Sequence, residues 1–311
     1  MVCCHSQSGN CKTQAVVATV IGIAAVGAAV YYYKYWSKSR GIRSKNGLLK
    51  SKEDESRKVK LIKKEKLTHD VRLFRWKLDE DQTLGLLPGE HVKLSSQINS
   101  KSVSRFYSPV SHPHQQGYFE TITKIYGPTE DNPNAGLFSS FLDSLEIGSE
   151  ISISGPFGQL GYLTRGNFLI KQKIKHFKTL AMIAGGSGLT PMLQLIRHIL
   201  NEEEYPSKVY LIYTNKTSDD IIVDEELKLY AAKFPSRFYL TLVFTRQTEN
   251  PQNIQQGLWN ESYGRIDEGL LARVFPYPSD DVLTLICGPK SMNSAAKAIC
   301  TSLGYSNINV F

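Results

Sequence analysis

Arg105-Phe106-Tyr107-Ser108-Pro109 puts three kinds of chemistry into one extended run. Alternate residues of a strand share a face, so the Arg105 guanidinium and the Tyr107 ring point the same way. Ser108 follows where Pro109 makes a strand end or a bend expected. A guanidinium clamps a diphosphate, an aromatic ring lies along a flat heterocycle, and a hydroxyl reaches a polar ring edge. Together they suit a flavin dinucleotide. Alone, the stretch reads equally well as an edge strand with a surface arginine and a half-buried tyrosine.

Three further stretches carry the same kind of signal. Pro133-Asn134-Ala135-Gly136 leads into a helix expected over residues 137–145. Gly136 lets a backbone approach a ligand, the helix start offers N–H groups, and Ser139 adds a hydroxyl donor, which makes a diphosphate seat or an ordinary capped connection. Gly185-Gly186-Ser187-Gly188 follows an apolar strand, residues 179–184, and precedes a helix over 189–201 with Pro191 in its first turn. It is not the Rossmann fingerprint, because Pro191 stands where the third glycine belongs, nor a nucleophile elbow, because Leu189 replaces the closing glycine. Cys287-Gly288-Pro289 ends another strand. Taken singly, Cys287 reads as a buried thiol and Thr190 as a helix cap. His112-Pro113-His114 offers two imidazoles in a Ser/Pro/Gln loop with no third ligand nearby, which reads as a solvated loop, and the five cysteines show no zinc or iron–sulfur spacing, so no metal is expected.

The elements that must position these residues fall into two sets. Residues 57–170 read as six short strands with turn punctuation (58–62, 71–78, 91–94, around 105, 117–126 and 151–154, the last ending in a Gly155-Pro156-Phe157-Gly158 turn), an antiparallel barrel. Residues 176–311 alternate strand and helix: strands at 179–184, 208–213, 238–244, 282–286 and 308–311, helices at 189–201, 224–233, 268–274 and 291–303. That alternation implies a doubly wound parallel sheet, which binds ligands at the C-terminal ends of its strands. The fold class is thus all-β followed by α/β, preceded by a membrane helix.

The net charge is +8, but residues 34–66 alone hold 13 Lys/Arg against 4 Asp/Glu, and residues 67–311 sum to about −2. The folded part has no electrostatic basis for binding nucleic acid. Residues 15–33 contain no charge and are long enough, at about 1.5 Å per helical residue, to span a bilayer. Tyr31, Tyr32, Tyr33, Tyr35 and Trp36 form an aromatic belt at one end and a basic stretch, 34–56, follows, so a single-pass anchor is expected with the large C-terminal part cytosolic and residues 1–14 on the other side. The basic stretch would lie against anionic lipid of the endoplasmic reticulum or the outer mitochondrial membrane.

The order of motifs resembles the ferredoxin-reductase superfamily, and within it the NADH–cytochrome b5 reductases. The motifs are Arg105-Phe106-Tyr107-Ser108, Gly136-Leu137-Phe138-Ser139, Gly155-Pro156-Phe157-Gly158, Gly185-Gly186-Ser187-Gly188-Leu189-Thr190-Pro191-Met192 and Cys287-Gly288-Pro289, with Leu87-Pro88-Gly89-Glu90-His91 and Lys124-Ile125-Tyr126 in support. The resemblance implies FAD and NADH as cofactors, with NADPH open. It implies Arg105 and the backbone around Gly136, Leu137, Phe138 and Ser139 on the FAD diphosphate, Tyr107 against the flavin, and Ser108 near its hydride-accepting nitrogen. Ile122, Lys124 and Tyr126 would line the adenosine or ribityl stretch, and Thr190 would touch the flavin from the second domain. The loop of Gly185, Gly186, Ser187 and Gly188 would hold the dinucleotide phosphates, with Cys287, Gly288 and Pro289 beside the nicotinamide and Thr214, Asn215 and Asp220 as further contacts. The implied acceptor is cytochrome b5 or a similar haem protein; another acceptor, or a silent membrane tether, are the alternatives. Phe106 replaces a usual proline and Leu137 a common lysine. Thr245 stands where an aspartate is common, and with Arg246 beside it this implies relaxed choice between NADH and NADPH.

Overall fold

The computed structural model describes residues 46–49, 56–127, 135–203, 205–247 and 258–311. The expected anchor at 15–33 and most of the basic stretch lie outside them. Among the described residues no helix is long and apolar enough to cross a membrane.

The first lobe is an antiparallel sheet of β1 (Arg57–Lys66), β2 (Val71–Lys77), β3 (His91–Ile98), β4 (Lys101–Tyr107), β5 (Tyr118–Lys124) and β6 (Glu150–Phe157), in the order β4-β3-β6-β1-β2-β5. The end strands β4 and β5 come close without a ladder between them, so the barrel is closed by side chains at that seam. Alternate residues fill it: Val59 and Leu61, Phe74 and Trp76, Val92 and Leu94, Ile151 and Ile153. Trp76 satisfies its indole N–H on the Thr121 hydroxyl at 3.0 Å. Helix α1 (Leu137–Ser144) adds Phe138 and Leu142 to the same core.

Two expectations need correction here. β6 does not stop before Gly155; it runs on to Phe157, which pairs with His91, and a register shift between His91 and Lys93 absorbs the proline. A three-stranded sheet of β7 (Leu160–Thr164), β8 (Asn167–Ile170) and β9 (Lys173–His176) occupies the boundary between the lobes. Its strands are short, and Arg165, Lys171 and Gln172 take positive φ (51°, 46° and 65°) at its turns, where an Asn-Gly signal would have marked a hairpin.

The second lobe is a wholly parallel sheet: β10 (Thr179–Gly185), β11 (Lys208–Asn215), β12 (Phe238–Phe244), β13 (Asn260–Tyr263), β14 (Val282–Cys287) and β15 (Ile308–Val310), ordered β13-β12-β11-β10-β14-β15. The four-residue, half-exposed edge strand β13 was not expected from sequence. Along β10, Leu180, Met182 and Ala184 face the layer of α2 (Leu189–Ile199) and α3 (Asp224–Lys233). Ala181 and Ile183 face α4 (Glu268–Val274) and α5 (Lys290–Ser302), as a doubly wound sheet requires. Chain order reverses between β10 and β14, so a crevice opens at their C-terminal ends.

The lobes share one apolar core, in which Val71, Val110 and Ile122 of the barrel join Leu189, Met192 and Leu193 of α2. Polar bonds then fix the docking. Buried Gln194 on α2 accepts from the Gly89 N–H at 2.8 Å. Arg197 donates to the Val110 carbonyl at 2.6 Å and to both oxygens of Glu226 at 2.6 and 2.7 Å. Lys124 at the end of β5 reaches Asp70 at 2.7 Å and Asp220 of the second lobe at 3.5 Å. Burial alone would lower the Lys124 pKa, but the two carboxylates raise it overall, so the ammonium stays charged.

Candidate functional site

The sequence-marked residues form a continuous line from the barrel to the switch point of the sheet. It begins at the end of β4. Arg105 is exposed, and among the described residues its guanidinium bonds only to the Ser104 carbonyl, at 2.7 Å, with no carboxylate to neutralise it. Tyr107, on the same strand face, packs its ring 6.2 Å from Phe138 of α1, and burial pushes its pKa up, so it is a neutral ring. Phe106 points the other way, 61% exposed, against His91 and Phe157. Ser108 is half-buried at the strand end beside buried Pro109.

The start of α1 lies next along the line. Gly136 caps it in the left-handed region (φ 71°), and a Cβ there would sit 1.8 Å from the Tyr126 carbonyl oxygen. Only glycine permits this approach. Among the described residues no side chain caps the N–H groups of the first turn, which belong to Leu137, Phe138 and Ser139. The Ser139 hydroxyl, expected as a donor to a ligand, is instead engaged internally: it donates to the Gly136 carbonyl at 3.0 Å and accepts from the Tyr126 N–H at 3.0 Å. Ser140 donates to the Tyr126 carbonyl at 2.9 Å, so the helix start and Tyr126 form one unit. Ile122 is buried in the shared core and Lys124 is engaged by Asp70 and Asp220, so both brace this region rather than face open space.

Tyr126 carries the line across the lobes. Its phenol lies 3.4 Å from the Ser187 hydroxyl. Ser187 sits in a single 3-10 turn, Gly186–Gly188, between β10 and α2. A Cβ on Gly188 would meet the Cys287 carbonyl oxygen at 2.2 Å; one on Gly185 or Gly288 would meet Met292 at 2.6 or 2.4 Å. Gly188 is therefore demanded by packing of one loop on the backbone of the other, while Gly185 and Gly288 leave room for the Met292 side chain of α5. Gly186 alone, at φ 52°, has open space above it. Thr190 returns its hydroxyl to the Ser187 carbonyl at 3.2 Å, closing the turn. Cys287 pairs with Ala184 across the switch point, and burial pushes its thiol up to about 11, which keeps it neutral and poorly nucleophilic. Pro289 starts α5.

Around the crevice, the Asn215 side-chain amide at the end of β11 is buried near the Tyr213 hydroxyl, and among the described residues neither its oxygen nor its nitrogen reaches hydrogen-bond geometry. Asp220 caps its own short turn through Thr217 and holds Lys124, so it is structural. Thr245, at the end of β12, is exposed and donates to the Asn215 carbonyl at 3.2 Å. Lys216, Thr217 and Arg246 border an open groove of about 630 Å³ with His69, Asp70, Asp219 and Asp220. Three contributors were not singled out from sequence: Gln194, Met292 and Tyr213, whose hydroxyl donates to the Gly186 carbonyl at 3.2 Å. A glutamine on the apolar face of α2 was the one visible hint.

The arrangement fits a dinucleotide flavin and a pyridine nucleotide on physical grounds. Among the described residues it offers an unneutralised guanidinium, uncapped helix N–H groups, a glycine-tight backbone and a buried amide outside hydrogen-bond geometry. Residues 58–162 match the oxidoreductase FAD-binding domain family and residues 182–298 the oxidoreductase NAD-binding domain family. The chain is 41% identical over 236 residues to a nitrate reductase [NADH] of Lotus japonicus, covering 75% of this chain and 25% of that protein. It thus spans about a quarter of the length of such relatives. Its structure superposes on the cytochrome b5 reductase domain of Ulva prolifera nitrate reductase with TM-score 0.77 and 30% identity, covering 85% of this chain and 100% of that one. The CS-b5R domains of human Ncb5or superpose with TM-score 0.65 and 28% identity, covering 83% of this chain and 69% of that one.

Gly136→Ala is expected to cost about 2 kcal/mol or more, from backbone strain and the clash with Tyr126, and to lower the flavin content of purified protein. Denaturant unfolding and the visible spectrum check both; a wild-type midpoint with full flavin content would refute the close approach.

Proposed function

This chain belongs to the FAD-dependent, cytochrome b5 reductase-like oxidoreductases, and on that premise we propose that it takes hydride from NADH and delivers single electrons to a haem protein, cytochrome b5 or one like it. The observation that carries this reading is the unbroken line from Arg105 through Tyr126 to Ser187 and Cys287. It sets a cofactor seat on one lobe directly against the strand-end crevice of the other.

Each residue has a task in that reading. Arg105 supplies charge to the FAD diphosphate and the N–H groups at residues 137–139 supply its hydrogen bonds. Tyr107 gives the flavin an uncharged flat wall, braced by Phe138. Ser108 holds its hydroxyl toward the ring edge. Gly186 admits the dinucleotide phosphates, and the buried Asn215 amide meets a polar group of the same ligand. Thr190 and Cys287 shape the nicotinamide side; Cys287, kept as a thiol, orients without attacking. When bound, the flavin supplies the conversion between two-electron and one-electron transfer. The protein's part is placement: hydride transfer asks for reacting atoms about 3–3.5 Å apart in a site that excludes water.

Thr245 is uncharged where a carboxylate would repel a 2′-phosphate, and Arg246 and Lys216 line the neighbouring groove. Choice between NADH and NADPH is therefore relaxed. Stopped-flow reduction of purified cytochrome b5 should proceed with either nucleotide, slow as salt rises, and give kcat/KM values within about a hundredfold, roughly 2.7 kcal/mol. Failure to reduce cytochrome b5 would sink the acceptor, and a larger preference for NADH the relaxed choice.

Residues 15–33 serve in this reading as a membrane anchor and 34–56 as a basic tether, supported by the uncharged run, its aromatic end and the charge that follows. Full-length protein should float with liposomes and resist alkaline extraction, whereas residues 46–311 should stay in solution. Flotation of the shorter chain, or release of the longer one, would contradict it.

A further inference from the structure

His112 and His114 lie in the loop after β4, and His198 lies near the end of α2, on the other lobe. The loop carries only two imidazoles, but the fold supplies a third. The His112 ring centre is 5.4 Å from that of His114 and 5.4 Å from that of His198. Two imidazoles on one tetrahedral ion, each with its nitrogen about 2.0–2.1 Å from the metal, have ring centres about 5 Å apart. Both neighbours of His112 are already at that spacing. His198 also buries its Nδ1 without a hydrogen-bond partner, the kind of unmet lone pair or N–H that calls for an occupant.

We propose that His112, His114 and His198 form a site for a late first-row divalent cation of the zinc type, which staples the barrel lobe to the sheet lobe. The surrounding charges suit imidazole ligands. The nearby carboxylates are already committed: Glu202 to Tyr162, Thr164 and the Arg165 N–H, Glu120 to Arg75, and Glu226 to Arg197. Arg197, the closest cation in sequence, is turned to Glu226 and the Val110 carbonyl. An open cavity of about 240 Å³ lies on the His112 side of the group, bordered by Gln115, Glu120, Arg197 and Asn201.

The site closes on binding. The three rings do not yet turn their nitrogens to one point, and the His112 Nδ1 accepts from the His114 N–H at a long 3.2 Å, a bond weak enough to exchange. His112 and His114 are both exposed on their loop and can turn toward His198. The contrast with His69, Asp70 and Asp220 is instructive. That group also gathers ligand atoms, but the Lys124 ammonium lies 2.7 Å from Asp70 and 3.5 Å from Asp220 and takes the place a cation would need.

An ion bound across the seam would stabilise the docked lobes by mass action. The test is titration of the untagged, flavin-bearing full-length protein with Co²⁺ at pH 7.5, followed by displacement with Zn²⁺. One equivalent should give visible d–d bands without thiolate charge transfer, and Zn²⁺ should erase them and raise the Tm. The double variant His112→Gln/His114→Gln should keep the wild-type flavin spectrum and bind at least tenfold more weakly. His198→Gln should do the same. Absence of saturable binding, bands with thiolate character, or unchanged affinity in the double variant would overturn the proposal.

Discussion

Everything in the molecule leans on one backbone contact, the approach of residue 188 to Cys287 across the switch point of the parallel sheet. A single Cβ at Gly188 would drive its loop into the Cys287 carbonyl. Because the loops touch, β10 and β14 end at one level and Met292 locks under Gly185 and Gly288. The position of Ser187 follows, and with it the reach to Tyr126 and the start of α1. The two loops thus behave as one rigid floor, and the crevice above it is what the fold as a whole delivers.

The second constraint is the orientation of the lobes. Their shared apolar core supplies the driving force, since burial is favourable whatever the exact register. Direction comes from the polar bonds at its rim: Gln194 to Gly89, Arg197 to Val110 and Glu226, Lys124 to Asp70 and Asp220. Partly buried ion pairs of this kind add little net stability, but losing one partner strands the other. They are best understood as setting the angle at which the barrel presents Arg105 and Tyr107 to the sheet.

Much of this was legible in the chain. Rough alternation marked the first two barrel strands, β-rich runs and turn residues marked the other four, and the strand–helix alternation after residue 176 indicated the parallel sheet, with α4 matched residue for residue. The glycines at 136, 185, 186, 188 and 288 pointed to the crevice because glycine-tight turns are local signals. Long-range side-chain pairings were not legible. Nothing in the sequence says that Ser139 turns inward to Tyr126, that Lys124 bonds Asp220, or that His198 comes to rest beside His112; those depend on how the lobes dock. The hairpins of residues 160–176 were missed for a different reason, since their turns use arginine, lysine and glutamine in a conformation that sequence patterns reserve for glycine and asparagine.

The central claim is that a flavin held on the Arg105 side is reachable by a nucleotide held on the Cys287 side. An anaerobic titration of the purified yellow protein with NADH measures this directly. Bleaching of the flavin band complete at one equivalent of NADH is the predicted result. A protein that carries FAD yet keeps its colour under excess NADH would contradict the account.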